Sequence, residues 1–266
     1  MIRLLSCVLT LSLLCGGGYW IKERYPPAEK LLSKILHSSS IQIIEPGFSL
    51  DYIIEKTGKK HSPLSAEVRY YPYAVLEVKY SRSPKKTEEA FMLWSLTNAE
   101  LVLSTKTWQT THGFQDCLIA KSDHMDIKIL KSLSAGPLSR QKIAAELHLE
   151  NEELGVFLQA CCAKKLIIHR EHDYRVHLDT PYLTTRPITK LEIPLTYKPM
   201  KSLEPLPQRY PLESIVAFAS SIFKDDFCIR SSQQVYLPVY CLTFQGDEGP
   251  ATTSYWNSLN GRELKL

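Results

Sequence analysis

Two stretches far apart in the chain read as versions of one another, a relation that would tie the two ends of the chain into one fold. The first, "SAEVRYYPYAVLEVKY" (Ser65–Tyr80), precedes "FMLWSLTNAELVL" (Phe91–Leu103); the second, "SQQVYLPVYCLTF" (Ser232–Phe244), precedes "TSYWNSLNGRELKL" (Thr253–Leu266). In each, a tyrosine-rich strand with an early proline gives way to a polar loop and then to a strand ending in tryptophan, Trp94 or Trp256. Turn signals follow both tryptophans, Asn98-Ala99 and Asn260-Gly261, the Asn-Gly pair being the stronger. Helical patterns precede both hairpins: Leu50–Lys56, and Leu212–Phe223 with Ile215, Phe218, Ala219 and Ile222 on one apolar face. The echo predicts an α+β fold in which two helix-plus-β-hairpin units, residues 41–120 and 212–266, share one sheet. Chance likeness between strands rich in Tyr and Trp is the alternative.

Between the two stretches lies a run of helical character. Ile127, Leu130 and Leu133 line one short helix, which Gly136 and Pro137 stop, and Ser139 offers an N-cap for the next, with Ile143, Ala144 and Leu147 on its inner face. After a turn at His148-Leu149, Asn151 caps a third helix with Leu154, Phe157, Leu158 and Cys161 inward; "LIIHREHDYRVHL" (Leu166–Leu178) then reads as a hairpin around Arg170–Asp173. Residues 124–178 resemble the winged helix-turn-helix superfamily, three helices plus a β-hairpin. That resemblance implies either DNA binding or protein assembly, since winged helices serve both. Residues 179–211 carry seven of the sixteen prolines and are predicted as an extended linker that returns the last unit to the first.

Charge decides between the two uses. Residues 125–178 hold eight basic and seven acidic residues, a net of +1, and the whole chain carries +4. In DNA-binding relatives the third helix starts in the major groove. Here that start is "ENEEL", with Glu150, Glu152 and Glu153 where phosphates would lie, although acids at a helix N-terminus also suit its dipole. The outward side carries Val156, Ala160 and Ala163 at helical spacing. A protein-binding face made of Glu152, Glu153, Val156, Gln159, Ala160 and Ala163 is the expectation, packing against the rest of the chain being the bland alternative.

The chain opens with an apolar run, Leu4–Leu14, behind Arg3. Three readings stay open for residues 1–21: a signal cleaved near Gly16–Gly18, lipidation at Cys15 despite bulky Leu14, or an anchor from Leu4 to Ile21 with Tyr19 and Trp20 at the interface. Lys22, Arg24, Lys30 and Lys34 beyond the run favour a body on the cytoplasmic side. The body then has five cysteines, an odd number without C-x-x-C spacing, so no disulfide framework is expected.

For catalysis the best combination is "TTHGFQDC", with His112, Asp116 and Cys117 as base, orienter and nucleophile. A turn at His112-Gly113 above a packed Cys117 is the bland reading, and the closeness of the three in sequence implies nothing about their geometry. His169, His172 and His177 with Cys161 and Cys162 are the metal-ligating types nearest one another, but nothing in their spacing supports zinc, and no metal or cofactor is expected. The phosphate-loop, dinucleotide, zinc-protease and nucleophile-elbow motifs are absent. The sequence thus predicts a non-enzymatic, membrane-associated protein making protein–protein contacts. A membrane-anchored winged-helix DNA-binding regulator is the second reading and a Cys/His-dependent enzyme the third.

Overall fold

The two tyrosine-rich strands lie antiparallel at the centre of one curled sheet. The computed structural model describes residues 41–57, 63–83, 86–192, 195, 197–200, 203, 205–223, 227–245 and 250–264, so the N-terminal leader lies outside the described residues. In chain order the first elements are β1 (Ile41–Ile44), α1 (Leu50–Lys56), β2 (Ser65–Ser83), β3 (Lys86–Ser95), β4 (Leu101–Ser104), β5 (Gln109–Thr110) and α2 (Phe114–Ile119). A helical stretch follows, with α3 (His124–Ser132), β6 (Leu138–Ser139), α4 (Arg140–Leu147), α5 (Asn151–Ala163), β7 (Ile167–Arg170) and β8 (Asp173–Val176). The last elements are β9 (Tyr197–Met200), α6 (Leu212–Ile222), β10 (Cys228–Phe244), β11 (Thr252–Asn257) and β12 (Arg262–Leu264). The molecule is of the α+β class. Its main sheet runs β12-β11-β10-β2-β3-β4-β5, and a second, three-stranded sheet runs β6-β8-β7.

Proline has no amide to donate, so Pro72 and Pro238 in the two central strands need an explanation. The register supplies one. Tyr71 faces Leu237, flanked by Pro72 opposite Tyr236 and Tyr70 opposite Pro238. On the other side of β2, the ladder with β3 begins at Tyr73, and Tyr70 instead bridges Pro205 in parallel. On the other side of β10, the ladder with β11 begins at Val239, and Tyr236 instead meets Ile43 of β1 in parallel. Each proline therefore sits where one neighbouring strand hands over to another, a point at which no ladder donor is required.

The turns after the tryptophans match in detail. Trp94 lies opposite Leu101 and Trp256 opposite Glu263. Leu96 N donates to Pro72 O (3.0 Å) and Ser258 N to Pro238 O (3.3 Å). Leu96 O accepts from the amides of Arg209 and Tyr210 just before α6, and Ser258 O accepts from those of Gly47 and Phe48 just before α1, all at 2.9 Å. Asn98 Oδ1 accepts from Glu100 N and Asn260 Oδ1 from Arg262 N, and the left-handed residue comes next after each asparagine, Ala99 (φ 55°) and Gly261 (φ 63°).

Alternation along the strands gives the sheet two apolar faces. Ala74, Leu76, Val78, Met92 and Trp94 point to a core that includes Phe114 of α2, Ile127 and Leu130 of α3, Leu154 and Leu158 of α5, and Phe218 of α6. Tyr73, Val75, Leu93, Val102, Val235, Leu237 and Val239 pack together with Ile44 and Leu259 on the inside of the curl. The curl brings the turn after β11 to the loop after β4, where Asn260 Nδ2 donates to Thr105 O (2.9 Å). The proline-containing stretch after β8 bonds to both β3 and β4: Lys190 bridges Ser104 in parallel, and buried Thr189 donates from Oγ1 to Val102 O and accepts from Leu93 N.

Candidate functional site

The helix face singled out by sequence is solvent-exposed. Asp123 and Asp126 form a capping box at the start of α3, which fixes that helix as a support for α5. Asp126 is buried and accepts from Cys161 Sγ (3.0 Å) and from Lys164 Nζ, tying α3 to the end of α5. Helix α5 buries Leu154, Leu158 and Cys161. Its other side presents Glu152, Glu153, Val156, Gln159, Ala160 and Ala163, with Val156 at 68% exposure. Phe157 is half-buried, and the N-cap is Glu150, one residue before the asparagine expected there, without a side-chain capping bond. Ser139 is the N-cap of α4, also without a side-chain bond, and it doubles as part of β6. The Arg140 guanidinium donates to Asn151 O and covers Gly155, where a Cβ would meet it.

The cysteine triplet is split between solvent and core. His112 and Asp116 are exposed, whereas Cys117 is fully buried. Backbone bonds to Tyr182 in both directions (3.0 and 2.8 Å) hold His112, and among the described residues no hydrogen bond joins its ring to Cys117. Burial pushes the Cys117 thiol up to about 12, with the nearby Glu100 and Asp116 carboxylates adding to the shift, so it stays protonated at neutral pH. Burial, reinforced by the bond to Asp126, raises Cys161 as well. Glu100 is the working carboxylate of this region. It accepts from Thr111 Oγ1 (2.6 Å) and from the amides of Gly113, Phe114 and Gln115, seating the start of α2 on the sheet.

Two of the hairpin histidines have other contacts: His169 stacks on Tyr174 (4.4 Å), and His177 Nδ1 meets Lys165 O (3.2 Å). Among the described residues no group of three His, Cys, Asp or Glu side chains is placed to hold a metal ion. Among the same residues no helix is long and apolar enough to cross a membrane.

A site that sequence reasoning missed lies where the curled sheet's ends approach. A cleft of about 730 Å³ is lined by Lys56, Tyr73, Asn98, Trp108, Trp256 and Arg262 among others. Trp108, at φ 53°, packs edge-on against Tyr73 (5.8 Å). Lys56 donates to Gly261 O, and its Nζ stands 5.8 Å from the centre of the Trp256 ring. Among the described residues neither Lys56 nor Arg262 has an ion-pair partner. The lining comes from five separate stretches of chain, so no local pattern announces it. The repeated tryptophan was the one available signal.

Comparison with known proteins returns no matching family model, no matching curated protein and no matching solved structure.

Proposed function

We propose that this protein is a non-enzymatic, membrane-associated protein that works by protein–protein contact. In this reading residues 1–21 associate the chain with a membrane, as an anchor whose body lies on the cytoplasmic side. Residues 124–178 are a winged helix inserted between two copies of one helix-plus-β unit. The order helix, short strand, helix, helix, hairpin, with sheet order β6-β8-β7, supports the winged helix. The matched registers, proline positions and turn bonds support the duplication.

The observation that carries the function is the free face of α5. Six exposed side chains, centred on Val156 and Ala160, form a shallow apolar strip with a carboxylate rim, the surface a partner helix packs on. That surface is poorly suited to a polyanion. Glu150, Glu152 and Glu153 are all exposed at its start, and Arg140, the nearest guanidinium, is engaged by Asn151 O. Burial and a raised pKa hold the Cys117 thiol in its protonated form, which favours the contact reading over the cysteine-enzyme one.

A photo-crosslinking residue at position 156 of the full chain tests the proposal in intact cells. The expected result is one discrete adduct, lost in Ala160→Glu, with thermal stability changed by only about 0.5 kcal/mol. Salt-sensitive binding of the full chain to duplex DNA at micromolar affinity or better overturns it.

A further inference from the structure

In the first unit the outer edge of β4 is covered by the chain itself. Val102 pairs with Thr110 of β5. Leu101 bonds the next residue twice, its amide donating to Thr111 Oγ1 and its carbonyl accepting from Thr111 N, both at 2.8 Å. The chain then turns so that Phe114 stacks on Trp94 (5.4 Å), while the amides of Gly113, Phe114 and Gln115 bond the Glu100 carboxylate. One short strand and one aromatic side chain seal that edge, and Trp94 is fully buried.

The second unit has the same edge without that cover among the described residues. Register and turn place Leu264 where the first unit has Val102, Glu263 for Leu101, Arg262 for Glu100 and Trp256 for Trp94. The helix offset that sets Phe48 against Tyr210 and Ile53 against Ile215 sets Lys56 against Phe218. Among the described residues strand β12 ends its sheet, Trp256 is half-buried, and the cleft opens beside it. Two exchanges move charge in one direction. Phe218 lies edge-on to Trp94 at 5.8 Å, and in its place Lys56 Nζ stands 5.8 Å over Trp256. Glu100 collects backbone amides, and in its place stands the guanidinium of Arg262, which has no ion-pair partner among the described residues.

From this internal template we infer that the β12 edge and its cleft bind an extended, acidic peptide segment of a partner protein. The segment adds a strand to β12. A carboxylate meets Arg262 and Lys56, and an apolar side chain covers Trp256 as Phe114 covers Trp94. Main-chain bonding along an open edge supplies affinity, and the two cations and the tryptophan select the sequence. The inference rests on the equivalence of the two units proposed above and not on the α5 face.

Random peptides displayed on phage, selected on the full-length chain in detergent micelles with Glu263→Pro protein as counter-selection, provide the test. By equivalence with Leu101, Glu263 turns its amide to the open side, so proline there removes an edge donor. The enriched peptides are expected to carry Asp or Glu within a few residues of a large apolar side chain. Their synthetic forms should bind on the order of micromolar Kd and lose roughly tenfold or more to Arg262→Glu. Arg262 is exposed, so that variant keeps the fold even if Glu263→Pro does not. Binding should be unaffected by Ala160→Glu, which separates this site from the α5 face. No enrichment over the counter-selection, a basic consensus, or equal binding to Arg262→Glu overturns the inference. A concentration-dependent dimer that Arg262→Glu dissolves also overturns it and assigns the edge to a second copy.

Discussion

Cys117 shows how burial alone sets the chemistry of a side chain. Its thiol is raised from an ordinary 9.0 to about 12, so the folded state favours the protonated form. A group with a raised folded value stabilises the fold fully below its unfolded value, and that contribution is lost as pH climbs through the folded one. Stability should therefore fall between about pH 9 and 12, on the order of 4 kcal/mol from this thiol. Chemical denaturation across that window should show a shallower decline in Cys117→Ala than in the parent; parallel curves would refute the assignment. Glu100 makes the complementary case for a buried carboxylate with three amides and a hydroxyl around it. Glu100→Gln keeps the shape but turns amide hydrogens toward those donors. It should cost about 1.5–3 kcal/mol, with amide exchange accelerating first at Gly113–Gln115. Uniform acceleration across the chain would mean that the carboxylate does not locally seat α2.

At the scale of elements, much was legible wherever a local period spoke. The helix expected at Leu50–Lys56 is α1 residue for residue, and the one expected at Leu212–Phe223 is α6 less its last residue, because a strong apolar face has few other solutions. The hairpin around Arg170–Asp173 closes with those two residues as its last pair. Two-residue strands such as β5 and β6 left no trace in the sequence, since alternation needs several residues to be seen. The N-cap of α5 was misplaced by one because Asn151 has the better side chain while Glu150 has the extended backbone. Helix α1 also depends on a close approach that composition does not reveal: a Cβ on Gly47 would lie 2.4 Å from Leu259 O. Gly47→Ala should thus push the chain before α1 off the turn after β11, weakening the bonds from Gly47 and Phe48 to Ser258 O. A loss of about 1–3 kcal/mol in thermal unfolding is expected, and an unchanged midpoint would show that the turn yields freely.

For the whole molecule, the question is whether helices α3 to α5 fold as their own body or with the sheet. Residues 42–198 and 203–266 form one compact unit, and a single core runs from Ala74 and Trp94 through Phe114 and Phe218 to Ile127, Leu154 and Leu158. Helix α6 packs on both β10 and α3, and His124 Nδ1 of α3 meets Ile222 O of α6 (2.7 Å). Among the described residues one hydrophobic core spans these parts, so the physical expectation is one cooperative transition. Leu158→Ala removes a fully buried side chain of α5 and should cost about 2–5 kcal/mol. Because the core is shared, that loss must reach Trp94, whose indole donates to Ala99 O inside the sheet. Far-ultraviolet helix signal and near-ultraviolet tryptophan signal should therefore move to one common lower midpoint in the variant. Two separated transitions, with the tryptophan signal left at the parental midpoint, would instead establish the α3 to α5 helices as an independent domain.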